Sequence, residues 1–281
     1  MVNRELGTAS WNTSRKEEET MIKMLVSIDA NLASSIALRY TCQVAKNAEV
    51  DIQTIHVHES GARGLTMGSG WARRTWEKQL VEEGKKEISS LLVAESSSCP
   101  ILKEPLVLSG DHDKEILQEL QRGQYDLYVE GSPAPLNPRS LAKRIESRVY
   151  QQAACPVLQV PNLLTVAEVL CVIRDAPGCR CIFTTLQRLF SGIDLKVDIS
   201  LSSLREAENT SFQEEDARKM AGEFGWVVRN TREFHGKTDS LVKEMKSYGL
   251  IVVALDRPTK TRNSLVEFLG ELSLPTLFCW R

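Results

Sequence analysis

From Met21 onward the chain carries one pattern of strands, helices and loop residues twice, and a repeat on this scale constrains the fold more than any single motif. In the first copy an apolar run over residues 22–28 (IKMLVSI) stops at Asp29. A helical pattern follows over 33–48, with Ile36, Tyr40, Val44 and Ala48 on one face, and a second strand occupies 50–57. In the second copy a run over 169–173 stops at Asp175, followed by a helix over 181–190 and a strand over 195–201. Gly110-Asp111-His112-Asp113 opens a helix over 114–122, where Asp carboxylates suit the cap and first turn, and Gly236-Lys237-Thr238-Asp239 opens its counterpart. The buried strand over 126–130 recurs over 250–255, and Cys155-Pro156-Val157-Leu158 launches a last strand as Pro275-Thr276-Leu277 does.

Strands that are almost continuously apolar are covered on both faces, and strand alternating with helix implies right-handed crossovers and a parallel sheet. The chain is therefore read as α/β: two tandem open, parallel five-stranded sheets flanked by helices, Rossmann-like. The boundaries are a polar, disordered tail over 1–20, a first domain over 21–162 and a second, shorter and more divergent one over 163–281.

Equivalent positions lie 146 residues apart at Asp29 and Asp175, 126 at Gly110 and Gly236, and 119 at Pro156 and Pro275. The first copy alone thus holds an insertion, a Gly-rich loop running into Trp71-Ala72-Arg73-Arg74-Thr75-Trp76, before a helix over 76–94 and a strand over 101–108. That segment reads as a loop folded over a cleft with its tryptophans against it; as an insertion, Trp71, Arg73, Arg74 and Trp76 also make a candidate lid or partner surface. The second drop shortens the loop after the fourth strand of copy two.

In such a sheet anions sit where a strand turns into a helix, on backbone N–H groups. In copy one that place is Gly131-Ser132, followed by a polar loop and an amphipathic helix over 141–153.

Lys and Arg number 35 against 37 Asp and Glu, so nothing draws the chain to nucleic acid or an anionic membrane. The first twenty residues lack the apolar core of a leader, and the longest apolar runs are strand-length, so a cytoplasmic protein is expected. Seven scattered cysteines without paired C-x-x-C knuckles read as buried reduced thiols. His56 and His58 alternate onto one strand face beside Glu59, but the sequence shows no further ligand, and no metal site is expected. Gly236-Lys237-Thr238 lacks the earlier glycine of a phosphate-binding loop and reads as a helix start. No Ser-His-Asp order and no nucleophile elbow accompanies the four histidines, so no catalytic residue is assigned and an enzyme is not expected.

Several motifs together resemble the universal stress protein family: Ser27-Ile28-Asp29, His56-Val57, Gly110-Asp111, the run Asp126 to Gly131-Ser132, Arg148-Val149 and Cys155-Pro156-Val157-Leu158. The resemblance covers 21–162 well and 166–281 faintly. It implies an adenine nucleotide alpha-hydrolase-like fold, often in tandem copies paired about a pseudo-two-fold axis. In the family's nucleotide-binding branch the loop reads Gly, two residues, Gly, nine residues, then Gly with Ser or Thr. Here Gly131 is kept, Ala134 stands second, and Lys143 and Arg144 or Arg144 and Ile145 stand last; Pro133, Pro135 and Pro138 remove N–H donors. The resemblance carries Asp29, the Val57 backbone, Gly131 and Ser132 over as nucleotide contacts, and Lys143 and Arg144 are candidates to replace the lost donors. In copy two Ala254, Leu255 and Asp256 take the Gly-Ser-Pro positions, and the Asp256 carboxylate is expected to repel phosphate.

The expectation is a tandem universal stress protein of the cytoplasm acting through protein contacts, with ATP or AMP binding weak or lost. The alternative is an ATP or AMP sensor using the first-domain cleft. Val157-Leu158 and Leu277-Phe278 are expected to pair the two domains with each other or to join a homodimer, and a further protein partner is unidentified; neither membrane nor nucleic acid is expected as a partner.

Overall fold

A computed structural model describes residues 21–46, 48–59, 71–99, 102–132, 136–201, 212–232, 245, 247–258 and 264–281. The tail over 1–20, the Gly-rich loop, Pro133-Ala134-Pro135 and Gly236 to Asp239 lie outside them. The first half supplies strands β1 (Ile22–Ser27), β2 (Val50–His58), β3 (Leu106–Ser109), β4 (Leu127–Gly131) and β5 (Val157–Val160). Its helices are α1 (Leu32–Ala45), α2 (Trp71–Ser96), α3 (His112–Gly123), α4 (Pro138–Ile145) and α5 (Arg148–Gln152). The second half supplies β6 (Glu168–Ile173), β7 (Lys196–Leu201), β8 (Val228–Arg232), β9 (Leu250–Leu255) and β10 (Thr276–Trp280), with α6 (Ala176–Phe190), α7 (Glu214–Glu223) and α8 (Ser264–Leu272).

The ten strands form one sheet in the order β3-β2-β1-β4-β5-β10-β9-β6-β7-β8. Each half is parallel within itself, in the order expected of a doubly wound sheet. The halves meet through β5 and β10, which run antiparallel with Leu158 opposite Leu277 and Val157 opposite Phe278. One apolar layer packs Val26, Tyr40, Ile182 and Phe183 on one face, and the other packs Leu25, Tyr128, Tyr150 and Phe278; each draws residues from both halves. Tyr40 donates its hydroxyl hydrogen to the Gly249 carbonyl at 2.8 Å, and Arg188 pairs with Asp126, both across the seam. Helices α4 and α8 also touch there: a Cβ on Gly270 would stand 2.5 Å from Pro138 Cα, so this glycine serves close helix packing. Among the described residues no helix is long and apolar enough to cross a membrane.

Local chemistry moves several boundaries. The helix expected over 141–153 is two: Asn137 and Ser140 form a capping box for α4, and the chain breaks at Glu146-Ser147, where Ser147 becomes the N-cap of α5. Helix α2 already begins at Trp71, because the segment before Lys78 holds neither Gly nor Pro to stop it, and Trp76 is 43% exposed rather than folded against a cleft. The third strand starts at Leu106, after Pro105, which has no N–H for the ladder. Asp175 accepts the Gly178 N–H at 2.7 Å as N-cap, so α6 starts at Ala176, five residues earlier than expected. Cys42 of α1 and Cys99, just past α2, form a disulfide with Cα atoms 5.7 Å apart, correcting the expectation of reduced thiols for this pair; Cys155, Cys171, Cys179 and Cys279 are buried and free.

In the second half Asp198 of β7 is buried beside β8 and accepts from Arg229 at 3.0 Å and from Tyr248 at 2.7 Å. Burial pushes this carboxyl up, but the bonds from Arg229, Tyr248 and Asn230 outweigh it and hold it below the usual aspartate range. A depressed folded-state value stabilises the protein above the unfolded-state value of about 3.9 and is lost as pH falls through the folded one. Urea unfolding should therefore show stability falling below about pH 4, with a shallower fall in Asp198→Asn than in wild type.

Candidate functional site

The carboxyl ends of β1 and β4 are neighbours, Ser27 beside Glu130, and α1 begins just beyond them. Its N-cap Asn31 accepts the Ser34 N–H at 2.9 Å, while Ser34 Oγ accepts the Asp29 N–H at 2.8 Å. This tight entry sets Asp29 on the rim of a cleft of about 520 Å³, whose lining also includes Ser34, His112, Gly131, Ser132 and Arg144.

Asp29 Oδ1 lies 3.2 Å from His56 Nδ1, and this hydrogen bond holds the Asp29 carboxyl below its usual value against its partial burial. For His56, burial disfavours the charged form, but Asp29 and the Ile28 carbonyl at 2.9 Å raise its value, so the two form a charge-assisted pair.

At the back of the cleft Glu130, 3% exposed, accepts from Arg144 Nε at 2.7 Å, from a second guanidinium nitrogen of Arg144, from the Tyr150 hydroxyl at 2.8 Å and from the Tyr128 hydroxyl at 3.3 Å. Arg144 thus faces the cleft already neutralised by a bidentate carboxylate. The Ser132 N–H is engaged as well, donating to the Val160 carbonyl at 3.1 Å. Gly131 serves packing: a Cβ there would lie 2.2 Å from the Ala33 carbonyl oxygen, a backbone atom of the first turn of α1. Gly131→Ala should cost about 1–3 kcal/mol or somewhat more in urea unfolding, because neither backbone can yield as a side chain would; an unchanged midpoint would show that α1 can slide.

The cleft brings together Asp29, Gly131, Ser132 and Arg144 of the sequence-derived residues. Val57 is buried in β2 and Lys143 is exposed on α4, and neither is among the lining residues. Trp71, Arg73, Arg74 and Trp76 lie along the first turns of α2. The sequence reading missed Asn31, Ser34, His112 and Glu130 as cleft residues. Glu130 left a signal, since a lone carboxylate in the apolar strand LYVEG must find a partner.

At the equivalent end of the second half the carboxylates are paired within the chain. Arg281 reaches Asp175 at 2.6 Å and also pairs with Asp256, so the carboxylate expected to repel phosphate is neutralised within the chain. Asp175 is spent as a helix cap, whereas Asp29 stands two residues ahead of its cap, Asn31.

A doubly wound, mostly parallel sheet with its cleft where the first and fourth strands turn into helices defines a Rossmann-like α/β protein. Residues 21–161 match the universal stress protein family, and the chain belongs to that family. A universal stress protein from Archaeoglobus fulgidus superposes with a TM-score of 0.65 at 14% identity, over 92% of this chain and 96% of its own. A protein of unknown function from Pseudomonas aeruginosa PAO1 gives 0.54 at 13% identity, over 94% of each chain. A universal stress protein family protein from Arabidopsis thaliana, solved with AMP bound, gives 0.34 at 18% identity over 49% of this chain and 90% of its own. No curated protein sequence matches the chain.

Proposed function

We propose that this universal stress protein is a non-enzymatic stress-response and regulatory module of the cytoplasm, working mainly through protein contacts, with nucleotide binding weak or lost. The observation that carries this reading is Arg144 locked on buried Glu130. A phosphate entering the cleft meets Asp29 and Glu130 with the lining guanidinium already paired and the Ser132 N–H already donated. Lys143 stands outside the cleft, and in the second half Arg281 holds two carboxylates where phosphate would need a free cation. Exposed Trp76 on the insertion helix supports a contact surface for a second copy of this chain or another protein.

A thermal shift with ATP and with AMP tests the reading, because a ligand that binds only the folded chain must raise the midpoint. The expected result is no shift with either at millimolar concentration, and no nucleotide in the purified protein by mass spectrometry.

A second reading, an ATP or AMP sensor, is favoured by the volume of the cleft, which falls within the range of small-ligand sites, and by Asp29 on its rim. Here the nucleoside supplies the affinity and the phosphates little, so AMP and ATP raise the midpoint alike and Asp29→Ala abolishes both shifts.

A further inference from the structure

Strand β2 and helix α2 bring together three groups that lie outside the cleft lining. His56 Nε2 and His58 Nδ1 each stand 3.4 Å from the same oxygen, Oε2 of Glu87, and the three donor atoms all lie within 4.8 Å of one another. His56 is 5% exposed, and its Nε2 has no hydrogen-bond partner, an unsatisfied buried nitrogen aimed at the other two groups. The helix approaches this closely because residue 84, one turn before Glu87, is glycine: a Cβ there would stand 3.2 Å from His56 Cδ2 and 3.0 Å from Val107 Cγ1.

We propose that His56, His58 and Glu87 form a site for a divalent transition metal ion of the zinc class. A separation of 3.4 Å is long for a hydrogen bond but matches the edge of a tetrahedron around a metal with bonds of about 2.0–2.1 Å, which is about 3.3–3.4 Å. The remaining edge closes by rotation of the partly exposed His58 ring. Two imidazoles with one carboxylate suit zinc, copper, nickel or iron and disfavour magnesium and calcium, which take oxygen ligands.

The surroundings of His56 fit the assignment independently. Its Nδ1–H points at the Ile28 carbonyl at 2.9 Å and at Asp29 at 3.2 Å, the arrangement that orients a metal-bound imidazole and leaves its Nε2 lone pair for the ion. Whatever fraction of the ring is doubly protonated gives up its Nε2 proton to solvent on binding, so affinity falls at low pH. Three protein ligands leave a fourth position for water, and half-exposed Glu87 gives the ion a path from solvent. Because Asp29 holds His56, the ion would also steady the rim of the cleft without taking part in nucleotide binding.

The test uses the full chain, stripped with chelator and titrated with Zn²⁺ against a competing dye, then with Co²⁺ for its absorption spectrum, with nucleotide absent throughout. The expected result is one equivalent of Zn²⁺ bound, affinity reduced at least about tenfold in both His58→Ala and Glu87→Ala, and Co²⁺ bands of a nitrogen and oxygen ligand set. Both substituted side chains are partly exposed, so the variants should fold, and far-ultraviolet circular dichroism checks this. Glu87→Gln keeps the shape with a weaker donor and should bind more weakly than wild type. No binding by the wild type, binding unchanged in the variants, or thiolate charge-transfer bands from the free cysteines would each overturn the assignment. A nucleotide-induced thermal shift would contradict the proposed function and leave this site untouched.

Discussion

Glu130→Ala is expected to lose about 3–5 kcal/mol of unfolding free energy in urea, because removing one partner of a buried ion pair strands the other. The carboxylate accepts two bonds from Arg144 and one each from Tyr150 and Tyr128, both tyrosines fully buried. Alanine leaves the guanidinium unpaired in the cleft wall and both hydroxyls without their acceptor. Since about a third of the Arg144 side chain reaches solvent, the loss should fall toward the lower end of that range. A double-mutant cycle isolates the pair: with Arg144→Met already in place, Glu130→Ala should cost clearly less than it does alone. A single-variant loss below about 1 kcal/mol would mean that water replaces the pair at little cost.

A still larger effect is expected at the seam. Leu277 is 0% exposed, with Leu158 opposite on β5 and Val252 opposite on β9. Leu277→Asp removes about 1.5–3 kcal/mol of apolar burial and places an unpaired charge in the sheet centre at several kcal/mol more. Because both apolar layers draw on both halves, the loss should not stay local. The variant should lack a cooperative urea transition, while Leu277→Ala should still show one, about 2–5 kcal/mol weaker than wild type. A near-native transition in Leu277→Asp would mean that the halves do not depend on the β5–β10 contact.

What the sequence made legible depends on whether a residue's role is local or shared. β9 is buried on both faces, and its apolar run Leu250–Leu255 marks its ends without help. β8 (VRNTR) lies at the sheet edge with only Val228 buried, and its polar residues answer to Asp198 thirty positions earlier, so the sequence pattern passes over it. Asp29 was legible as a strand end. Its bond to His56 needs the β1–β2 register, and the engagement of Arg144 by Glu130 needs the fold of α4 across β4. Glu87 joins His56 and His58 only because Gly84 seats α2 on β2. The same limit hid the Cys42–Cys99 bond, which pairs residues 57 apart in sequence. Motif residues therefore located the cleft, while the partners that neutralise it came from the tertiary structure.

Isothermal titration of the nucleotide-free chain with ATP tests most directly the claim that the cleft has kept its shape and lost its free phosphate-binding groups. The account predicts no saturable heat below about 1 mM, a binding free energy weaker than about 4 kcal/mol. One site with a micromolar dissociation constant, lost in Asp29→Ala, would contradict it.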